Sequence, residues 1–229
     1  MKKFGGPAAI AGLLSFNGGF IDTAGFLGLQ GLFTAHVTGN FVTLGAALVL
    51  GSHGIIGKIL ALPEFILVIA LARLAGAALR ARRLPVLRIL LSVEVALLLA
   101  FFALAVAFGP FPDPDTPAAL LAGFAGIAAM SLQNAFQRVH LSNLPPTTLM
   151  TGNTTQATID AVDLLTGVEP AQAPAIRTRF GRVALSIVYF AAGCAASATL
   201  YWLIGFWSLG AAVLVGGAAA VMRVEAAAK

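Results

Sequence analysis

Apolar residues gather into long blocks along this chain, with little of the polar alternation that marks a soluble amphipathic element. Six blocks, at about 8–29, 59–80, 87–109, 117–138, 180–200 and 203–222, are each close to the roughly 20 residues that a membrane-crossing helix needs. Two shorter blocks, at about 40–51 and 153–166, amount to roughly 12–14 residues each, a length suited to entering the bilayer without crossing it. Each short block follows a copy of one polar stretch. The first copy is Thr34-Ala35-His36-Val37-Thr38-Gly39-Asn40, the second Thr147-Thr148-Leu149-Met150-Thr151-Gly152-Asn153. Thr, Asn and Gly favour helix starts, and a helix that begins inside a membrane offers unpaired N–H groups and the positive end of its dipole. The pattern predicts two broken helices whose Thr-Gly-Asn starts face one another across a polar site near the bilayer midplane.

Loop charge selects the topology. If all eight blocks crossed, the Arg80-Ala81-Arg82-Arg83 loop would lie outside and the Asp113/Asp115 loop inside, against the tendency of Arg and Lys to remain cytoplasmic. If the two short blocks re-enter instead, the loop from Arg80 to Arg88 falls inside, with Arg138, His140, Arg177, Arg179, Arg182 and Arg223. Only Lys58 is then misplaced. The predicted fold is therefore all-α and polytopic, a single membrane domain over 1–229, with both termini cytoplasmic. It has six transmembrane helices plus two re-entrant half-helices in two inverted-topology repeats, a plan shared by many secondary transporters. The repeats cover about 8–109 and 118–223, joined by a Pro-rich external linker at 110–117. A short echo, Arg73-Leu74-Ala75-Gly76 against Phe190-Ala191-Ala192-Gly193, falls late in the corresponding span of each half. The N-terminal block runs on through Asp22 without a small-residue cleavage site, so it reads as a retained span. The tail at 225–229 matches a helical linker unit.

Composition agrees. The 229 residues are 59% hydrophobic and only 10% charged, where a soluble domain carries about 25%. The net charge of +5 comes from basic loops of the positive-inside kind, so no nucleic-acid partner is implied. A lone Cys194 in a Gly/Ala setting forms no internal disulfide and reads as packing. No nucleophile–base set, phosphate-cradling loop, zinc motif or haem motif is present, so neither an enzyme nor a metal or cofactor is expected.

Polar residues inside the blocks are the candidates for function. Asp22 lies late in the first block, where a carboxylate costs about 2.5–3.5 kcal/mol to insert. It reads as a proton-coupling group beside the site, or else as an interfacial residue in reach of water. Gln133 and Asn134 suit recognition of a polar solute, or hydrogen bonding between helices. His36 could titrate or donate to a solute, or bond nearby backbone. Asp160 remains open and Asp163 fits a wet helix end, while His53 and His140 read as interfacial. The hydroxyls of Thr147, Thr148, Thr151, Thr154, Thr155 and Thr158 would suit a hydrated path or bond back to helical carbonyls. Arg73 and Glu94 lie eleven and ten residues from the turn near Leu84, which predicts a buried ion pair at similar depth in one hairpin.

With these residues in view, the chain resembles the YoaK-like family of bacterial inner-membrane proteins, long labelled a domain of unknown function. The resemblance rests on Gly19-Phe20-Ile21-Asp22 with Gly25-Phe26-Leu27, on His36-Val37-Thr38-Gly39-Asn40, on Leu132-Gln133-Asn134-Ala135, and on Thr147-Thr148 with Thr151-Gly152. It implies a multi-pass bacterial membrane protein of transporter type and names no substrate.

The reading that follows is a secondary transporter of a small polar or anionic solute in the bacterial inner membrane. The solute would be bound by Thr38, Gly39, Asn40, Thr151, Gly152 and Asn153, with Gln133, Asn134 and His36, and Asp22 would couple protons. A passive channel and a non-transporting membrane scaffold are the alternatives. Partners are the lipid bilayer and the solute, and the many Gly and Ala residues would permit close packing in a homodimer.

Overall fold

A computed structural model describes residues 6–222; the tail at 225–229 lies outside the described residues. In chain order the helices are α1 (Pro7–Gly28), α2 (Gly39–Leu50), α3 (Ile55–Ala81), α4 (Val86–Phe108), α5 (Pro117–His140), α6 (Met150–Thr166), α7 (Ala173–Ile204) and α8 (Leu209–Val221). A short 3-10 turn, Gly205–Ser208, joins the last two. Proline opens α1, α5 and α7 in the first turn, where its missing N–H has no helical acceptor to lose. The Thr116 hydroxyl caps α5 by accepting the Ala119 N–H.

Polarity runs opposite to that of a soluble protein. Large apolar side chains cover the outside of α2, α3 and α7, among them Val42, Val49, Leu67, Leu74, Val188 and Trp202. Asn17, Asp22, Asn40, Glu94, Gln133, Asn153 and Asp160 are buried. Lipid on the outside accounts for this arrangement, since an apolar solvent makes exposed apolar groups cheap and lipid-facing polar groups costly. The protein is a membrane-embedded helical protein. Five stretches are long and apolar enough to cross a bilayer: α1, α3, α4, α5, and Ala173–Val221 taken together.

Helices α1 and α5 form the centre and are mostly buried, whereas α3 is mostly exposed. The first central helix packs on α7 and α8, the second on α3 and α4; α4 also packs on α8, α2 on α3 and α6 on α7. At the crossing of α1 and α7 the backbones meet. A Cβ on Gly19 would collide with the Phe190 carbonyl, and one on Gly193 with the Phe16 carbonyl, so only glycine allows this approach.

Three expectations change. The block expected at 203–222 as a sixth full span breaks at Gly205, whose φ of +58° suits glycine, and α8 has only 13 residues. The second short helix has 17 residues rather than about 12–14. The Arg73–Glu94 pair is absent: Glu94 is fully buried with neither carboxyl oxygen hydrogen-bonded, while Arg73 is exposed. The reason is packing. Helix α4 lies mainly against α5 and α8 instead of forming a tight hairpin with α3. On α3 the buried positions Ala72 and Gly76 set the inner face, and Arg73 stands about 100° away from it.

The linker is more than a spacer. Asp115 caps α3, its carboxylate accepting from the N–H groups of Gly54, Ile55, Ile56 and Gly57 at 3.0–3.4 Å. Lys58, the one basic residue at odds with the charge pattern, is buried, and its ammonium donates to the carbonyls of Gln30 and His53.

Candidate polar site around the two Thr-Gly-Asn turns

Each turn is tied to the end of the central helix before it. In the first, Asp22 Oδ1 accepts from the N–H groups of Ala35 (2.7 Å) and His36 (3.2 Å), and Oδ2 lies 2.7 Å from His36 Nδ1. The Thr34 hydroxyl donates to the Ile21 carbonyl at 3.2 Å. The His36 ring meets Phe190 of α7 edge-on, with centroids 5.5 Å apart. Asp22 and His36 are thus brought together, with every Asp22 oxygen engaged. In the second turn, Gln133 donates through Nε2 to Thr147 Oγ1 (2.9 Å), and Asn134 Oδ1 accepts from the Thr148 hydroxyl (2.7 Å). Asp22 to His36, Gln133 to Thr147 and Asn134 to Thr148 all span fourteen residues.

The asparagines of the Thr-Gly-Asn copies do the same local work. Asn40 Nδ2 donates to the Phe33 carbonyl and Asn153 Nδ2 to the Pro146 carbonyl, both at 2.8 Å. Asn40 Oδ1 also accepts the Phe33 N–H at 2.8 Å. Pro146 has no N–H to give, so the second asparagine lacks that bond. Asn153 Nδ2 also donates at 3.5 Å to Ser186 Oγ on α7, and that hydroxyl is 2.9 Å from Ser15 Oγ on α1.

Two expectations about this site need correction. The asparagines are not N-caps. Helix α2 starts at Gly39 after Thr38, which makes no side-chain cap, and α6 starts at Met150, so Thr151, Gly152 and Asn153 lie inside its first turn. The backbone N–H groups of Gly39, Asn40 and Phe41 are also not free to bind a solute. They donate to the carbonyls of His36, Val37 and Thr38 at 2.7–3.2 Å. The turns also lie at different heights on α1. The first is bonded around Ile21 and Asp22, whereas Gln133 of the second cluster donates to the Leu14 carbonyl at 3.0 Å. Thr147 and Thr148 of the second turn lie against Gly18, so the two turns meet α1 about 6 Å apart along its axis. Thr38, Thr151 and Gly152 are not buried.

Open space gathers on the second turn. A cavity of about 820 Å³ lies between the α5–α6 connection, α6 and α7, lined by Pro145, Pro146, Gly152, Asn153, Gln156, Arg179 and Arg182 among others. A second, of about 390 Å³, lies between α3, α4 and α5, and Arg73, Arg80, Arg138 and His140 line it together with Asn134. Leu149 borders both, and neither lining includes an acidic side chain.

Sequence reasoning missed the partner of Asp160. Buried on α6, it accepts a forked pair of bonds from Arg179 of α7, at 3.0 Å from Nε and 2.6 Å from Nη2, and a bond from Gln156. The signal was present: Asn40 and Ala47, the buried positions of α2, are seven apart, as are Asn153 and Asp160 on α6. A carboxylate on the buried face of a helix calls for a cation on the helix it packs against. Among the described residues no group of three or more His, Cys, Asp and Glu is placed to hold a metal ion.

A model of the family described as "Protein of unknown function (DUF1275)" matches residues 10–222. No curated protein and no solved structure matches the chain.

Proposed function

We propose that the chain, which belongs to the DUF1275 family of proteins of unknown function, is a secondary transporter of a small anionic solute in the bacterial inner membrane. The observation that carries this reading is the pair of cavities beside the second turn. Both are lined by arginine without any carboxylate, and both reach amide side chains held in place by hydrogen bonds, Asn153 in one and Asn134 in the other. Arginine presents a planar fork of donors suited to carboxylate and phosphate, and a fixed amide adds orientation.

The two turns then have different roles. The first, in which Asp22 and the amides of Ala35, His36, Gly39, Asn40 and Phe41 are engaged, is a rigid plug that positions α2. The second, whose asparagine lacks the proline-blocked bond and borders open space, is the binding half. Arg179 is partly neutralised by Asp160, so Arg182 carries the free charge of the larger cavity. The inverted pairing of the halves is supported by the way the helices pack. Exchanging α1–α4 for α5–α8 turns α1 on α7 into α5 on α3, α2 on α3 into α6 on α7, and α4 on α5 into α8 on α1, and every one of these pairs packs. Such an exchange relation is the usual basis of alternating access.

The test is binding by the purified full chain. Thermal unfolding is followed against a panel of phosphate and mono- and dicarboxylates, with matched neutral sugars and amino acids as controls. A ligand that binds the folded state raises the midpoint by mass action. Stabilisation by one anion class, lost in Arg182→Gln and in Asn153→Ala, is the expected result. A response confined to neutral solutes, or one unaffected by both substitutions, rejects the anion site.

A further inference from the structure

Glu94 has no part in the site described so far, and its surroundings are unusual. It is 0% exposed, and neither carboxyl oxygen has a hydrogen-bond partner. Asn17, on α1, is also 0% exposed with both amide atoms unpartnered. Asn17 lies where α1, α4 and α8 meet at Gly216, and Glu94 is the chain neighbour of that junction on α4. Asn17 Nδ2 lies 3.4 Å from the point a Gly216 Cβ would occupy, Leu98 Cδ1 3.1 Å and Val95 Cγ2 3.5 Å. Glu94 precedes Val95 and stands one helical turn from Leu98 on the same face of α4. One turn the other way on that face is Leu90, which lines the smaller arginine-rich cavity.

No cation on a neighbouring element neutralises this carboxyl. Neither α8 nor the 3-10 turn has any charged residue. On α5 the charged groups are Arg138 and His140 at its end, and both line the smaller cavity with Arg73 and Arg80 of α3. Elsewhere on α3, Lys58 is bonded to carbonyls and Glu64 is half-buried with one oxygen unpartnered. Asp22 of α1 is engaged by His36, and Arg88 of α4 is exposed.

An ionised carboxylate with no partner in apolar surroundings is costly, whereas the neutral acid is tolerated. The junction supplies the two oxygens of Glu94 and one of Asn17, too few to replace the six to eight oxygens of a hard cation such as Ca²⁺. The ligand that fits is a proton.

We propose that Glu94 and Asn17 form a proton-binding site, loaded and unloaded past Leu90 from the arginine-rich cavity, and that this site couples the solute to the proton gradient. Uptake forms the acid O–H as a hydronium ion in the cavity becomes water; release reverses this. Asn17 and Glu94 make no direct bond to one another here; a change of rotamer, or a water between them, would let the amide accept from the acid O–H or donate N–H to the carboxylate. Proton binding stands on the junction alone, while its coupling to solute rests on the transporter reading above.

The experiment is infrared difference spectroscopy on the purified full chain, recording the carbonyl stretch of protonated carboxyl groups as pH is raised. The expected result is a protonated-carboxyl band at neutral pH that is lost in Glu94→Gln, kept but moved in Glu94→Asp, and moved in Asn17→Leu. The spectra are recorded in a Glu64→Gln background, which removes the half-buried acid that could add a band of its own and is expected to leave the Glu94 band in place. In the Glu64→Gln background, a neutral-pH spectrum without such a band, or a band that survives the added Glu94→Gln, overturns the proposal. Because Glu94→Asp keeps the ionisable group, it provides a reading even if Glu94→Gln does not fold. If the band behaves as expected but liposomes carry no solute, the transporter reading fails and the proton site stands.

Discussion

Asn40 and Asn153 make the same bond in the two halves of the chain, each amide donating to the carbonyl seven residues upstream at 2.8 Å. They differ in the bond that is returned. Phe33 returns its N–H to Asn40, while Pro146 has none to return to Asn153. Removing Asn40 therefore breaks two bonds of 2.8 Å inside a buried turn, while removing Asn153 breaks one of 2.8 Å and the longer contacts to Met150 and Ser186. At about 0.5–1.5 kcal/mol per well-formed bond, Asn40→Ala should be the more destabilising substitution by at most one such unit. Function should show the reverse order, because Asn153 borders the larger cavity. Paired measurements of unfolding midpoint and anion binding in both variants test this. Equal effects of the two substitutions on binding would place both turns in a purely structural role.

The pairing of Asp160 with Arg179 leads to an asymmetric expectation. Asp160 is buried, whereas the Arg179 side chain is 52% exposed. Arg179→Ala strands a buried carboxylate with only Gln156 to answer it, whereas Asp160→Ala leaves an arginine that can turn to water. Arg179→Ala should thus lower the unfolding midpoint more than Asp160→Ala, and the double variant should recover part of the loss. A double variant as unstable as the sum of the singles would show that the pair does not act as a unit.

Topology can be read by cysteine labelling in a Cys194→Ser background. Single cysteines at Arg82 and Arg177, both exposed, should be shielded from an impermeant thiol reagent added to intact cells, and one at Asp113 should react. Reaction at Arg82 from outside would overturn the placement of the arginine loops.

The sequence made the helices legible because an apolar block of span length has few other readings. It also located both turns, since repeated Thr-Gly-Asn with a fixed following block is a local signal. What it could not show was azimuth. Counting residues from Leu84 placed Arg73 and Glu94 at one height, yet height does not say which way a side chain points. Consecutive helices need not be partners either, and here α4 turns to α5 and α8. Asp115 was legible as an acidic loop residue but not as the cap of α3, because that bond spans about sixty residues. The unpartnered state of Asn17 and Glu94 is a property of the assembled junction and leaves no trace in local pattern. Lys58 was an outlier to the charge pattern until its carbonyl partners were seen.

The most direct test of the transporter reading is uptake into liposomes reconstituted with the purified chain, using the anion that stabilises it, with and without an imposed pH gradient. The expected result is accumulation above equilibrium that needs the gradient, is lost in Arg182→Gln, and loses its gradient dependence in Glu94→Gln. Flux that only dissipates a solute gradient, with or without the pH difference, would make the protein a passive channel. No flux of any anion in the panel would contradict the transporter reading altogether.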